Sequence, residues 1–93
     1  MHVVVRQYEG ASSIADAMAE RPDEVEELLT GVEGFVAYYA ARDGEALTTV
    51  SACRDSAGAE ETTRRAAAFI QEILPGTTVS PPRVATGEVV LSF

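Results

Sequence analysis

The stretch that decides the fold is FVAYYAARDGEALTTVSAC, residues 35–53. It contains two runs rich in β-branched, aromatic and small apolar residues, 35–41 and 46–53, with Asp43-Gly44 between them. Asp-Gly in this position predicts a β-hairpin with a two-residue turn in which both central residues have positive φ. The first run is apolar at odd and even positions alike, so its strand is predicted to be buried on both faces.

A strand and a helical segment precede the hairpin. Residues 2–8 are short and rich in valine, which is typical of a strand. Ser12 and Ser13 are candidate N-caps of the first helix, with Asp16 as a weak capping-box partner. Pro22 interrupts the helical stripe, so this helix is either kinked there or restarted with the proline at its first position. The apolar residues of the stripe are Ile14, Met18, Val25, Leu28, Leu29 and Val32.

A second helix and a last strand follow the hairpin. Asp55 or Ser56 is predicted to cap the helix. Its apolar stripe consists of Ala59, Thr63, Ala66, Ala67, Ile70, Ile73 and Leu74. A short polar loop, 77–82, leads to a final strand over 83–93, in which Gly87 is a candidate bulge.

The order strand, helix, hairpin, helix, strand predicts one ferredoxin-like α+β domain over residues 1–93. Right-handed crossovers place both helices on one face of a four-stranded antiparallel sheet. We expect Val3, Val5, Val50 and Ala52 to face the helices. The other face would then carry a mixture of apolar and polar side chains, namely His2, Val4, Arg6, Tyr8, Leu47, Thr49, Ser51 and Cys53. Such a face needs a cover, and a two-fold dimer with the sheets face to face supplies one.

Composition narrows the classes of function. The net charge is −8, and all seven basic residues are arginines, so binding to nucleic acid or to a membrane surface is disfavoured. Cys53 is the single cysteine, which excludes an intrachain disulfide and a thiolate metal cluster. The sequence shows no leader and no long apolar run, and we expect a cytoplasmic protein that holds neither a metal nor another cofactor.

The chain resembles the dimeric α+β barrel superfamily, which includes antibiotic-biosynthesis monooxygenase-type and chlorite-dismutase-type domains. The stretches that carry the resemblance are 3–10 (VVVRQYEG), 34–39 (GFVAYY), 51–61 (SACRDSAGAEE) and 87–90 (GEVV). The resemblance implies a homodimer whose two sheets form a barrel, with a ligand cavity between sheet and helices in each subunit.

The resemblance also bears on activity. Cofactor-free, quinone-forming members of the superfamily use Trp and Asn on the third strand, whereas this chain has no Trp and no Asn and carries Thr49 and Cys53 at the matching positions. Haem-using relatives need an axial His on a helix or a late strand, and the one His here is His2.

Five residues are candidate ligand-binding residues, namely His2, Arg6, Tyr8, Tyr38 and Thr49. Arg6 and Tyr8 share a strand face and could bind an anionic or phenolic ligand; alternatively, Arg6 pairs with an acid such as Glu88. His2 could accept a proton, or it is a strand-edge residue without a function. Tyr38 and Tyr39 point to opposite faces, so at most one of them lines a cavity.

Catalytic residues cannot be assigned from these patterns. Cys53 is expected to be a small buried residue rather than a nucleophile. The first functional hypothesis is a homodimer that binds a small apolar or anionic molecule between sheet and helices. The alternative is a cofactor-independent monooxygenase or isomerase acting on an aromatic or polyketide-like substrate. A third possibility is a subunit that pairs with a different protein.

Overall fold

The computed structural model describes residues 1–76 and 80–93. Strands and helices alternate in the order β1 (His2–Tyr8), α1 (Ser12–Glu20), α2 (Pro22–Thr30), β2 (Phe35–Asp43), β3 (Ala46–Cys53), α3 (Ser56–Ile73) and β4 (Arg83–Glu88). The four strands form one antiparallel sheet in the order β2-β3-β1-β4. The predicted ferredoxin-like α+β fold is confirmed. None of the helices in the described ranges is both long enough and apolar enough to cross a bilayer.

The first helical segment is restarted at Pro22 and not merely kinked. α1 ends at Glu20, and α2 begins with Pro22 in its first turn, followed by Asp23 and Glu24, which favour the positive end of the helix dipole. The predicted serine cap is wrong. α1 already begins at Ser12, and its N-cap residue is Ala11, whose side chain makes no capping hydrogen bond.

The hairpin has the predicted length but a different turn. Asp43 pairs with Ala46, so the two central residues are Gly44 and Glu45. Only Gly44 has positive φ, at 60°, which is the arrangement of a type II′ turn. The Glu45 carbonyl accepts a hydrogen bond of 2.7 Å from the Ala11 backbone N–H and so fixes the hairpin against the start of α1.

The two faces of the sheet are the reverse of our expectation. Arg6 and Tyr8 of β1 are buried on the helix side, and so are four residues of β3, namely Leu47, Thr49, Ser51 and Cys53. The alternation of side chains along a strand determines which residues share a face, but it does not determine which face meets the helices. Polar side chains can be buried here because they hydrogen-bond one another and α3.

A β-bulge in β2 also changes the predicted alternation. Phe35 pairs with Cys53 and Ala37 pairs with the adjacent Ala52, so Val36 is the extra residue. As a result Phe35 and Tyr38 both lie on the helix side. The expected bulge at Gly87 is absent, because the register between β1 and β4 runs without a shift through this residue.

The face turned away from the helices, which we call the open face, is mostly apolar. One row crosses all four strands through the paired residues Ala85, Val5, Val50 and Tyr39. Tyr39 is 69% exposed, and the bulge residue Val36 beside this face is 49% exposed. The open face therefore carries the apolar surface that a single subunit leaves uncovered.

The core lies between the sheet and α1, around Tyr8, Ala11, Ile14 and Leu47. On α3 the buried residues include Thr62 and Phe69, which the predicted stripe omits, whereas Ala67 is exposed. The last strand ends at Glu88, and residues 90–93 are exposed. Residues 77–79 of the predicted polar loop lie outside the described residues.

Asp55 caps α3 as predicted, because its carboxylate accepts a 2.9 Å hydrogen bond from the Gly58 N–H. We expect Asp55→Ala to lower the free energy of unfolding by about 1 kcal/mol, measured by urea denaturation. Asp55→Asn retains a capping oxygen and should stay within a few tenths of a kcal/mol of the wild type. Equal losses in the two variants would contradict the capping role.

Candidate functional site

An open groove of about 770 Å³ lies between the α1–α2 pair and the exposed edge strand β2. It forms because α1 and α2 stand beside β2 without closing over its helix-side residues. The groove is mainly apolar, and its lining residues include Met18, Val25, Leu29, Phe35, Tyr38 and Leu47. A groove of this size and composition is suited to a small organic molecule.

Charged groups are confined to the exposed parts of the groove. Asp16 of α1 and Arg42 of β2 form an ion pair of 2.7 Å, and both side chains are about half exposed or more, at 63% and 44%. Such a solvated pair contributes little to stability. Glu26 of α2 also lines the groove and is exposed.

A smaller cavity of about 20 Å³ lies deeper, between the sheet and α3. It is bounded on the α3 side by Ala66, Phe69 and Ile70. This volume is close to that needed by one water molecule. The cavity shares lining residues with the groove, namely Met18, Val25, Leu29, Tyr38 and Leu47.

Arg6 is the most unusual buried group, because its side chain is only 1% exposed. Every N–H of its guanidinium donates to a hydroxyl oxygen. Nε donates to Thr63 at 3.1 Å, Nη1 to Thr49 and Ser51 at 3.3 and 3.2 Å, and Nη2 to Thr62 and Thr63 at 2.9 and 2.7 Å. We call these four residues the hydroxyl cage; it joins β1, β3 and α3.

The helix orients its two hydroxyls for this role. Thr62 and Thr63 donate their own protons to the Ala59 carbonyl, at 2.6 and 3.3 Å, which leaves their lone pairs for Arg6. Arg6 makes no ion pair among the residues that the structure describes. Burial lowers the pKa of its guanidinium, although the nearby Tyr8, Tyr38 and Cys53 oppose this. An arginine nevertheless stays charged, so this is a buried cation without a carboxylate partner.

Tyr38 lies between the cage and the groove. Burial raises the pKa of its phenol, while the positive charge of Arg6 and the neighbouring Thr49 hydroxyl act in the opposite direction. The phenol is therefore neutral at physiological pH and keeps a proton to donate. Tyr8 lies on the same face, and burial raises its pKa too, against the opposing charge of Arg6.

The structure brings four of the five predicted site residues together. Arg6, Tyr8, Tyr38 and Thr49 share the helix-side face and surround one region. His2 is at the far end of β1, where its Nε2 hydrogen-bonds the Thr86 hydroxyl at 3.0 Å, and it lines neither cavity.

Two further interpretations of the sequence are settled by these contacts. Arg6 does not pair with Glu88, which lies opposite His2 in the register of β1 and β4. Cys53 is completely buried, and its thiol pKa is raised by burial and by Asp55, against the charge of Arg6. It is a small buried residue and not an activated thiolate.

The sequence pattern does not predict the hydroxyl cage or the groove. Thr62 falls outside the apolar stripe of α3, and Ser51 falls on the strand face that the pattern predicts to be open. A usable signal was present: Arg6 and the alternate residues Thr49 and Ser51 fall on strand faces that could pair. The groove depends on the tilt of α1 and α2, for which the sequence gives no signal.

No protein-family model and no curated protein sequence matches this chain. Similar folds are found among solved structures. A protein of unknown function from Nitrosomonas europaea, NE2512, is 19% identical over 99% of this chain and 91% of its own, with a TM-score of 0.75. A protein from Bordetella bronchiseptica, named as a candidate antibiotic biosynthesis monooxygenase, is 14% identical over 97% of each chain, with a TM-score of 0.70.

A third similar structure is a mutant of MhuD with two manganese protoporphyrin IX molecules bound per active site. It is 12% identical over 100% of this chain and 98% of its own, with a TM-score of 0.70. At these identities the likeness concerns the fold. The predicted resemblance to antibiotic-biosynthesis monooxygenase-type domains is confirmed at that level.

Replacing Arg6 by lysine tests the hydroxyl cage. Lysine retains the charge but offers three donors instead of five, so we expect Arg6→Lys to lower the free energy of unfolding by about 2 kcal/mol at pH 7. Arg64→Lys is the matched control on α3, since Arg64 is 70% exposed, and it should change little. Urea denaturation measures both.

The pH dependence of this variant has a definite sign. Burial lowers the pKa of Arg6 and should lower that of a lysine in its place. Up to about pH 10.4, the unfolded state of the variant then binds more protons at this lysine than the folded state does. The free energy of unfolding of Arg6→Lys therefore rises with pH, and its difference from the wild type becomes smaller by pH 9. A deficit that grows with pH would contradict the burial of an unpaired cation.

Proposed function

We propose that this protein is a homodimeric domain that binds a small, largely apolar molecule in the groove between α1–α2 and β2. The observation that carries the proposal is the groove itself. It is large, mainly apolar, and has a neutral, partly buried phenol at its inner end. Ligand sites commonly combine apolar walls with a few placed polar groups in this way.

The geometry favours a flat ligand. One wall is the edge strand β2, with Phe35, Tyr38 and Ala40 on the helix side, and the other wall is formed by aliphatic residues of α1 and α2 such as Val25 and Leu29. An aromatic ring system inserted between these walls would contact apolar side chains on each side. Its polar atoms would meet Tyr38 inside or the Asp16–Arg42 pair at the rim.

The homodimer is proposed through the open face. The row Ala85, Val5, Val50 and Tyr39 is apolar across the whole sheet, and no helix among the described residues packs on it. A two-fold axis would pair this face with its own copy. The cytoplasmic location expected from the sequence and the single-domain organisation stay predictions.

The donor set does not suit a porphyrin held through a histidine. His2, the one histidine of the chain, is bonded to Thr86 and lines neither cavity, and the groove offers no cysteine. The proposal therefore does not concern a porphyrin held by an axial histidine or cysteine.

A cofactor-independent oxygenase or isomerase is the second candidate. The observation in its favour is a phenol donor beside a buried cation, an arrangement that could stabilise an oxyanion. Against it, Thr49 and Cys53 supply neither the indole nor the amide that the resemblance implies on the third strand.

Filling the groove should abolish ligand binding. Ala40 lies on the groove side of β2 and is exposed, so Ala40→Trp would place an indole in the space. We expect the affinity for the fluorescent probe 1-anilinonaphthalene-8-sulfonate to fall by about tenfold or more, a loss of about 1.4 kcal/mol. Ala67→Trp, on an exposed position of α3, is the control and should bind like the wild type. If Ala40→Trp and Ala67→Trp bind the probe with similar affinity, the probe binds outside the groove.

Placing a charge in the middle of the open face should separate the subunits. Val50 lies in the central row, and Val50→Glu would bury a carboxylate against its copy. Light scattering after gel filtration should give about twice the 9.9 kDa chain mass for the wild type and for the control Ala67→Glu, and the single-chain mass for Val50→Glu. A folded Val50→Glu dimer, or a monomeric wild type, would refute this interface.

A further inference from the structure

The segment that follows β4, residues 89–93, exposes large apolar side chains, and we call it the tail. The Val89 N–H donates to the Met1 carbonyl at 2.8 Å, so the pairing of β4 with β1 continues as far as residue 89. Beyond it, Val90 is 89% exposed, Leu91 is 74% exposed and Phe93 is fully exposed. Apolar side chains placed together in water indicate a surface that another molecule covers.

The tail leaves the sheet at the end where β2 has its bulge. Phe35, Cys53, His2 and Glu88 form one row across the four strands. The tail follows Glu88 at one edge of the sheet, and the bulge residue Val36 follows Phe35 at the other edge. These edges are three strand spacings of about 4.8 Å apart, and Val36 stays exposed in the single subunit. The tail therefore does not cover its own β2.

The central row of the open face indicates how a second copy would be oriented. A two-fold axis that runs along the strands between two stacked sheets places β4 opposite β2 of the second copy. Tyr39 then faces Ala85 of the second copy, and Val50 faces its Val5. A large side chain thus meets a small one at each edge. An axis across the strands would instead stack Tyr39 on its own copy.

The same axis brings each tail to the bulge end of β2 in the second copy, because it keeps matching ends of the two sheets together. Stacked sheets are about 10 Å apart, and five extended residues span up to about 16 Å. The next row toward this end consists of Gly87, Val3, Ala52 and Ala37, which are small or medium in size. Two sheets stacked here leave room for larger apolar side chains.

We propose that the tail of each subunit crosses to a second copy of this chain and packs against the outer edge of its β2, at the Val36 end. This inference rests on the proposed homodimer and specifies its geometry. Gly87 lies on the open face, so continued alternation turns Leu91 and Phe93 toward the second copy and Val90 away from it. Neither the tail nor residues 35–41 of β2 carry a charged side chain, so the contact adds no local repulsion between two chains of net charge −8.

This contact also adds a wall to the groove. Ala37 and Tyr39 border the groove at the outer edge of β2. A tail that packs on this edge covers both residues, and the second copy contributes its Leu91 to the site. The groove of one subunit is therefore complete only in the dimer.

Cysteine cross-linking tests the position of the tail. We expect Val36→Cys combined with Leu91→Cys to form a disulfide between subunits under mild oxidation, seen as a species of doubled mass on a denaturing gel without reductant. The matched control combines Ala41→Cys with Leu91→Cys, because Ala41 is also exposed but lies toward the far end of β2. This control and Leu91→Cys alone should keep the single-chain mass. The native Cys53 is completely buried and is present in every variant.

Two neighbouring substitutions test the groove wall. Leu91→Ser and Val90→Ser each remove an exposed apolar side chain, but only Leu91 is turned toward the second copy. We expect Leu91→Ser to lower the affinity for 1-anilinonaphthalene-8-sulfonate by about fivefold, since one apolar side chain leaves the wall. Val90→Ser should bind the probe like the wild type.

The outcomes separate this inference from the proposed function. A wild type with the single-chain mass in light scattering refutes the homodimer and the tail contact together. If the wild type is a dimer but the Val36–Leu91 pair links no better than the Ala41–Leu91 pair, the tail position is overturned and the homodimer stands. Loss of both thiols without a change in mass would show that the tail folds onto its own sheet, which also overturns it. Equal probe affinities in Leu91→Ser and Val90→Ser would refute the added wall.

Discussion

The structure depends on the burial of the Arg6 guanidinium in a cage made only of hydroxyls. A buried charge is costly unless its hydrogen-bonding capacity is fully used, and all five N–H groups of Arg6 are bonded to Thr49, Ser51, Thr62 and Thr63. These partners come from β3 and α3, so the cage fixes the register of α3 on the sheet as well as satisfying the cation.

The position of α3 in turn determines where the groove lies. α3 packs on β1 and β3, α1 packs on β3, and α2 packs beside the edge strand β2. Pro22 breaks the first helical segment into these two short helices, and the space between them and β2 stays open. Tyr38 lines the groove, and the charge of Arg6 acts on the pKa of its phenol against the effect of burial. The cation that joins β1, β3 and α3 therefore also acts on a phenol of the groove wall.

Local sequence patterns predict the helices and strands. Which face of each strand meets the helices depends instead on hydrogen bonds between polar residues that are far apart in the sequence. The strands, the restart at Pro22 and the Asp55 cap all follow from signals within a few residues. The faces of β1 and β3 do not, because Val3 and Val5 look like core residues until Arg6 is seen to have partners on α3. The grouping of Arg6, Tyr8, Tyr38 and Thr49 followed from the sequence only in part, since the Val36 bulge moves Tyr38 relative to Phe35.

β2 is apolar on both of its sides, and the bulge at Val36 determines which of its residues share a side. Before Val36 and after it, the alternation is shifted by one residue, so Phe35 and Tyr38 lie on the helix side. Ala37, Tyr39 and Ala41 lie on the open face, and Ala37 and Tyr39 also border the groove at this edge of the sheet. Both sides of the strand thus have a use for apolar surface: one side forms the wall of the groove, and the other belongs to the face proposed to meet a second copy. β2 therefore separates the proposed ligand site from the proposed dimer contact by the thickness of one sheet. Because both sites share its backbone, a shift of β2 at one site would also move the residues of the other.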